Sequence, residues 1–434
     1  MTPPSVEAEG KRLSPVLRRR KAWALRDVAA HLLRREDGRG PSVCGCGRAG
    51  HDAPDVGLHL RDDGSARTSG AFRCDSGWLC TVCAPQRGKE RAEKILEVFD
   101  HVRAFRDGRM VMCTLTVRHN RGHALADLRK VVQQASVAAR QGAPWNRRKE
   151  RHQIFGVISA PEVTWSAANG WHFHVHTALL LRGSDEDAQQ LGEWFVERYL
   201  RAVQAAGYSA LIDGQDVAVI RSEKRLAEYI AKGVNRNRDM AWEMAGQATK
   251  QACADSLHPF DILEKASGDV AMKALWLEYA SAVKGMKSCV VTKGIADALG
   301  IEPEEDDDRP GEEPEAESDA VGTLPAETWN TLMRRRLASS VLTLLEDGGA
   351  AGWEEVRRRA FAWAAGHDDR RPPEAFHAPS PEHVAACARA RRHEFREVSR
   401  AIGAALDRER GVAASLGRRF VPPSMRRVLE LIAA

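Results

Sequence analysis

The sequence predicts an α+β protein with a central, mainly antiparallel sheet and flanking helices, preceded by a cysteine-rich segment and followed by a helical region. Three observations carry that expectation. Between residues 110 and 232, strand-like and helical patterns follow the order strand, helix, strand, strand, helix, strand, helix. Five of the nine cysteines fall between Cys44 and Cys83, in a stretch with little hydrophobic periodicity. Beyond residue 325 the chain is rich in Ala, Arg and Leu at helical spacing.

The elements follow in order. Residues 1–40 are basic, and the apolar spacing from Val16 to Leu33, flanked by Arg18–Lys21 and Arg34–Arg35, predicts one amphipathic helix. Residues 41–85 are rich in Gly, Asp and Cys, as expected where a bound ion stands in for a hydrophobic core. A charged helix is expected from about Gln86 to Phe105. Strands are predicted at Met110–Val117, Ile154–Trp165, Trp171–Leu181 and Ala210–Ile220, with helices at Ala124–Gln141 and Asp185–Ala206. A helix from about Glu223 to Lys232 stops at Gly233. Residues 246–300 read as helical, punctuated by Gly268, Gly285 and Gly294. The expected organisation is an N-terminal helix and Cys-rich segment over 1–100 and a core domain over 101–245. A helical extension packed on that core (246–301), an acidic linker (302–322) and a helical C-terminal domain (323–434) complete it.

Composition narrows the function classes. Of 434 residues, 43% are hydrophobic and 29% charged, the balance of a globular chain with a sizeable core. Apolar stretches such as Thr177–Leu181 and Ser340–Leu345 fall far short of the roughly 18 residues that span a bilayer. The opening MTPPSVEAEGKRL has no apolar run, so a cytoplasmic protein without a secretory signal is expected. The net charge of +5 hides an asymmetry: residues 302–319 carry 11 acidic side chains and one Arg, leaving +15 on the other 416 residues. That run cannot bury enough apolar area to fold, hence the linker. The basic remainder raises nucleic acid above other partners. Thiols in such a chain argue against a disulfide framework, and Cys113, Cys253, Cys289 and Cys387 read as small buried hydrophobes.

The segment NGWHFHVHTALLL, Asn169–Leu181, is the most informative. Alternate residues of a strand share a face, so His172, His174 and His176 point one way and Phe173, Val175 and Thr177 the other. Three imidazoles on one face need a shared partner, and neutral imidazole is a common metal ligand. The bland alternative is a row of exposed or hydrogen-bonded histidines. Ile154–Trp165 and Trp171–Leu181 flank turn residues, which predicts a hairpin. With a loop Ala168-Asn169-Gly170, Glu162 pairs across from His176 and joins the histidine face. A two-residue Asn-Gly turn would put it on the other face. The third ligand is Glu162 or His172, depending on that loop.

Tyr229 is one of four tyrosines, in KRLAEYIAKGV, with Lys232 on the same helical face. Alone, a helical Tyr is most often half-buried packing. Together, CTLTVRH (Cys113–His119), HFHVH (His172–His176) and YIAK (Tyr229–Lys232) resemble the ordered motifs of the single-tyrosine HUH endonucleases, specifically plasmid rolling-circle replication initiators. Trp78–Ala84 resembles the Cys-rich segment before the family's Thr-Leu-Thr strand. Gly268–Gly285 resembles a helical segment after its tyrosine. The resemblance covers about residues 40–300.

It implies an HUH endonuclease core in which His174 and His176, with Glu162 or His172, hold Mn²⁺ or Mg²⁺ and polarise a scissile phosphate. Tyr229 would be the nucleophile, forming a 5′-phosphotyrosine and freeing a 3′-hydroxyl primer, with Lys232 near the phosphate. The partner implied is a plasmid origin, single-stranded at the nick. No P-loop motif occurs, so a host helicase would unwind the duplex and a host polymerase extend the primer. The sequence departs at Arg225, where relatives that terminate by hydrolysis carry Glu. A mobilisation relaxase or single-strand transposase would share the chemistry. A non-catalytic, zinc-containing DNA-binding regulator is the reading from another class.

Cys80-x-x-Cys83, Cys74 and the Cys44-x-Cys46 pair offer five thiols for one tetrahedral structural Zn²⁺, so one of the early pair is spare, and His51 is a weaker candidate. The C-terminal region carries Arg334–Arg336, Arg357–Arg359, Arg391–Arg392 and Arg418–Arg419. Such runs are solvated helix faces by default and an origin-recognition or assembly module on the sharper reading.

Overall fold

A computed structural model describes residues 14–221, 256–292, 294–295 and 320–366. The predicted helix Glu223–Lys232, the acidic run and everything beyond residue 366 lie outside the described residues. The architecture is α+β, and every strand pairing in it is antiparallel.

In chain order the elements are α1 (Pro15–Leu33), β1 (Asp55–Leu60), β2 (Ala66–Ser69), α2 (Ala84–Ala104), β3 (Gly108–Thr116), α3 (Leu125–Ala139) and α4 (Gly142–Arg151). Next come β4 (Gly156–Ser166), β5 (Gly170–Arg182), α5 (Asp185–Ala205), β6 (Asp216–Val219) and β7 (Ser256–Leu257). The remainder is α6 (Pro259–Lys265), α7 (Val270–Ala282), β8 (Val290–Val291), β9 (Gly322–Pro325), α8 (Ala326–Arg335), α9 (Ala338–Gly348) and α10 (Trp353–Ala365).

The larger sheet runs β6-β3-β5-β4-β7, with β8 also on β4. Its two faces follow from the alternation in β5. Trp171, Phe173, Val175, Leu179 and Leu181 bury into a core shared with α3 and α5, built around Leu128, Val132, Leu191 and Phe195. On the opposite face Ala178 and Leu180 join Met110, Met112 and Ile158 under α2, whose Val98, Phe99 and Val102 cover them. The histidines continue that second face beyond the apolar cluster, leaving polar side chains at one end of an otherwise covered surface.

The smaller sheet, β2-β1-β9, joins the two ends of the described chain. β9 pairs with β1 (Asp55↔Pro325, Val56↔Leu324), and Val56, Leu58 and Leu324 pack with Trp329, Leu342, Val356 and Trp363 of the C-terminal helices. Trp23 of α1 enters the same core, edge-on to Trp329 at 6.4 Å. The Glu346 carboxylate, almost fully buried, pairs with Arg19 and Arg20 of α1 and accepts the Ala66 N–H at 3.0 Å. Segments that read separately in the sequence therefore share one core.

Several expectations shift in detail. Helix α1 starts at Pro15, with the Ser14 hydroxyl accepting the Leu17 N–H, as a proline-led start favours. The predicted strand Ala210–Ile220 shortens to β6, because Ile212–Gly214 forms a 3₁₀ turn. Residues 256–292 hold short strands β7 and β8 as well as helices, both added to the free side of β4. The Cys-rich stretch contains the β1–β2 hairpin, turned at Gly64 with φ +77°. Gly322, the last residue assigned to the linker, is the first of β9.

Candidate metal centres

The β4–β5 register sets the first centre. Ser166 pairs with Gly170 and Trp165 with Trp171, so the connection is Ala167-Ala168-Asn169 and Glu162 lies opposite His174. The expected partner, His176, instead faces Ala160. The slip from expectation is two residues, which preserves the face. Gly170 permits this turn: its φ is +74°, and a Cβ there would sit 2.9 Å from the Arg121 Cα.

Glu162, His174 and His176 converge. Glu162 Oε2 lies 3.1 Å from His174 Nε2 and 3.3 Å from His176 Nε2, and the two Nε2 atoms are 3.2 Å apart. An ion with ligands at about 2.1 Å sets adjacent donors about 3.0 Å apart at octahedral angles and about 3.4 Å at tetrahedral ones. The observed edges fall between these values, so the residues present fit a cation and could hold one. Burial alone pushes the Glu162 carboxyl up, but the His174 and His176 imidazoles outweigh it and hold the group well below the usual carboxylate range. It is therefore an anion at neutral pH, as a hard cation requires.

His172 does not join this group. Its Nδ1 lies 2.8 Å from Nε2 of His119, whose own Nδ1 is 3.2 Å from the Asn169 carbonyl. Burial, and then the neighbouring His174 and His119, lower its pKa to about 3, so its ring is neutral. Of the two candidates for third ligand, the geometry brings Glu162 to the pair and ties His172 to His119. No local pattern singles out His119; only the fold sets it beside β5. Tyr229 and Lys232, like Arg225, lie outside the described residues. β6, which precedes them in the chain, flanks β3, so Asp216, Thr114 and His176 lie side by side across three strands.

The second centre is Cys46, Cys74, Cys80 and Cys83, all buried. Cys46 Sγ lies 3.6 Å from those of Cys80 and Cys83, and Cys74 Sγ is 3.8 Å from that of Cys83. A tetrahedral ion with sulfurs at about 2.3 Å sets them about 3.8 Å apart. Four thiols at that spacing could hold a metal ion. Hydrogen bonds from Cys74, Cys80 and Cys83 drive the Cys46 thiol well below its ordinary range. The Cys46 thiolate in turn raises Cys74, while burial first and then Cys46 raise Cys80.

The spare thiol is Cys44, whose Sγ donates to the Ala30 carbonyl at 3.5 Å. His51 stands exposed beside Asp52 and away from the cluster. The turn carrying Cys80 is tied to the helical extension: Trp78 Nε1–H donates to Met286 O at 2.8 Å, and Tyr279 Oη–H donates to Trp78 O at 3.1 Å. Cys113 and Cys289 are buried among apolar neighbours as expected, while Cys253 and Cys387 lie outside the described residues. Arg357, Arg358 and Arg359 pair with Glu354 and Glu355 on their own helix, the solvated-face reading of that triplet.

Among the described residues no helix is long and apolar enough to cross a membrane. No family model matches the chain. The chain is 26% identical over 365 residues to a protein of Streptomyces lividans described as "Protein rep", a match covering 69% of this chain and 75% of that one. It is 30% identical over 160 residues to a "Neomycin resistance protein" of Streptomyces cyanogenus, covering 31% of this chain and 36% of the relative. No solved structure matches.

Proposed function

We propose that this chain is a plasmid replication initiator that nicks one DNA strand at an origin by tyrosine attack. The observation that carries the reading is the convergence of Glu162, His174 and His176 on one sheet face at the spacing of cation ligands. Similarity to a protein described as Rep supports the replicative role.

On this reading Glu162, His174 and His176 would hold Mn²⁺ or Mg²⁺, which when bound would supply Lewis-acid polarisation of a phosphoryl oxygen. Tyr229 is the nucleophile: its phenolic oxygen bonds to phosphorus, the P–O3′ bond breaks, and the 3′ oxygen leaves with the electron pair and takes up a proton. The products are a 5′-phosphotyrosine and a 3′-hydroxyl primer, and the retained bond energy allows rejoining without ATP. Lys232, three residues after Tyr229 in the sequence, neutralises developing charge on the phosphate. The four cysteines hold a structural zinc. DNA, single-stranded at the nick, is the substrate, and a host helicase and polymerase are the partners.

The test is incubation of supercoiled origin plasmid with the protein and Mn²⁺. The expected product is a nicked circle with protein covalently on the 5′ end, absent in Tyr229→Phe and in His174→Ala. Origin binding without an adduct under any divalent ion would instead support a non-catalytic regulator.

A further inference from the structure

We propose that the two threonines of the Thr-Leu-Thr strand are positioning residues for the two histidines: Thr114 for His176 and Thr116 for His174. Each would accept the Nδ1 proton of its imidazole and so leave the Nε2 lone pair free for a cation. The inference rests on reading Glu162, His174 and His176 as a cation site.

The register carries the first part. β3 and β5 pair antiparallel with Thr114 opposite His176 and Thr116 opposite His174, so a two-residue spacing on one strand meets a two-residue spacing on the other. Cross-strand partners project to the same face. Leu115 between the threonines points away and is fully buried in the other core, as is Val175 between the histidines. The pattern Thr-x-Thr against His-x-His therefore places one hydroxyl beside each ring.

Hydrogen bonding carries the second part. Thr114 Oγ1 lies 3.1 Å from His176 Nδ1. Thr116 Oγ1 and His174 Nδ1 are both buried and have no hydrogen-bond partner among the described residues. They occupy the second copy of the same cross-strand position, as an acceptor and a ring nitrogen that suit one another. The strand end bearing Thr116 is pinned by Gln215, whose Oε1 accepts the Thr116 N–H at 2.9 Å and whose Nε2 donates to the Thr116 carbonyl at 3.2 Å.

The chemistry links the two. An imidazole that donates its Nε2 lone pair carries its proton on Nδ1, and a buried N–H without an acceptor is costly. Outer partners of this kind fix the tautomer and ring orientation of ligating histidines. The two halves differ in geometry. Thr114 Oγ1 already lies against His176 Nδ1, whereas Thr116 Oγ1 and His174 Nδ1 are buried without a hydrogen-bond partner among the described residues. Thr114 thus holds the His176 ring in advance, and Thr116 would accept from His174 Nδ1 once a cation takes the Nε2 lone pair.

The experiment uses full-length protein labelled with ¹⁵N-histidine, as wild type, Thr114→Val, Thr116→Val and the corresponding serine variants. Long-range ¹H–¹⁵N spectra without metal report the tautomers, and calorimetry with Mn²⁺ reports affinity. Valine keeps the branched shape suited to a strand, and circular dichroism checks the fold. Thr114→Val should change the His176 tautomer pattern without metal, whereas Thr116→Val should leave the His174 pattern unchanged. Both valine variants should bind Mn²⁺ about 10- to 100-fold more weakly, with serine restoring most of the loss. Valine variants that bind Mn²⁺ like wild type overturn the proposal while leaving the site intact. Wild-type protein whose Mn²⁺ uptake is nil, or is unchanged by His174→Ala, overturns the site and the proposal together.

Discussion

The two candidate metal centres are built on opposite plans. The cysteine group has four buried sulfurs linked by separations of 3.6 to 3.8 Å and all within 4.8 Å of one another, enclosed where α1, the Cys-rich turns and the helical extension meet. The Glu–His–His group has three donors on one face of two adjacent strands, next to polar side chains rather than inside a core. A filled, enclosed coordination shell suits a structural ion, and a three-sided one leaves room for a substrate oxygen. The difference also shows in the elements that supply the ligands. Irregular turns gather the sulfurs, so an ion bound there would tie together segments with little regular structure of their own. A sheet with apolar packing on both faces presents the histidines, so an ion bound there would add less to the fold.

Cys80→Ser should produce the largest effect. Losing one of four sulfurs should release one equivalent of zinc and open the N-terminal region to protease, read by elemental analysis and limited digestion. A variant that keeps its zinc and its protease resistance would break the contrast at its strongest point. His174→Ala should come next, lowering Mn²⁺ affinity at least about 100-fold while changing unfolding free energy by no more than about 1–2 kcal/mol. Calorimetry and denaturant melts measure the two quantities. Glu162→Gln should weaken Mn²⁺ by roughly 10-fold, because the amide oxygen remains a donor but the anion is lost. An unchanged affinity would remove Glu162 from the ligand set.

The smallest effect concerns His172. Its folded pKa is about 3 against 6.5 for a free imidazole. Between those values the unfolded chain binds a proton that the folded chain refuses, so metal-free stability falls as pH drops from 6.5 toward 3. His172→Gln should flatten the pH dependence of metal-free unfolding in that window. A slope unchanged by the substitution would show that His172 is not held neutral by its surroundings.

Legibility tracked sequence distance. The face shared by His172, His174 and His176 was readable because strand alternation depends on neighbours two residues apart. The place of Glu162 was readable only up to the loop, since a three-residue loop puts it on the histidine face and a two-residue turn on the other. The loop keeps three residues but sits one position earlier, at Ala167-Ala168-Asn169, with Gly170 at a positive φ inside the strand pair, and this moves the partner of Glu162 from His176 to His174. The roles of His119 beside His172 and of Thr114 beside His176 required the β3–β5 register, which joins residues more than fifty positions apart. Cys44 could be recognised as surplus only once its sulfur was seen against the Ala30 carbonyl.

By itself the sequence determined the α+β class, the two sets of metal-capable side chains and the strand that carries the imidazoles, since each depends on composition or on local backbone periodicity. Tertiary structure alone decided which three donors meet, which thiol is left over, and that β9 closes on β1 across some 265 residues of chain. Those choices depend on strand register and on contacts between distant segments, where many pairings satisfy the same local pattern and burial of the whole core selects one.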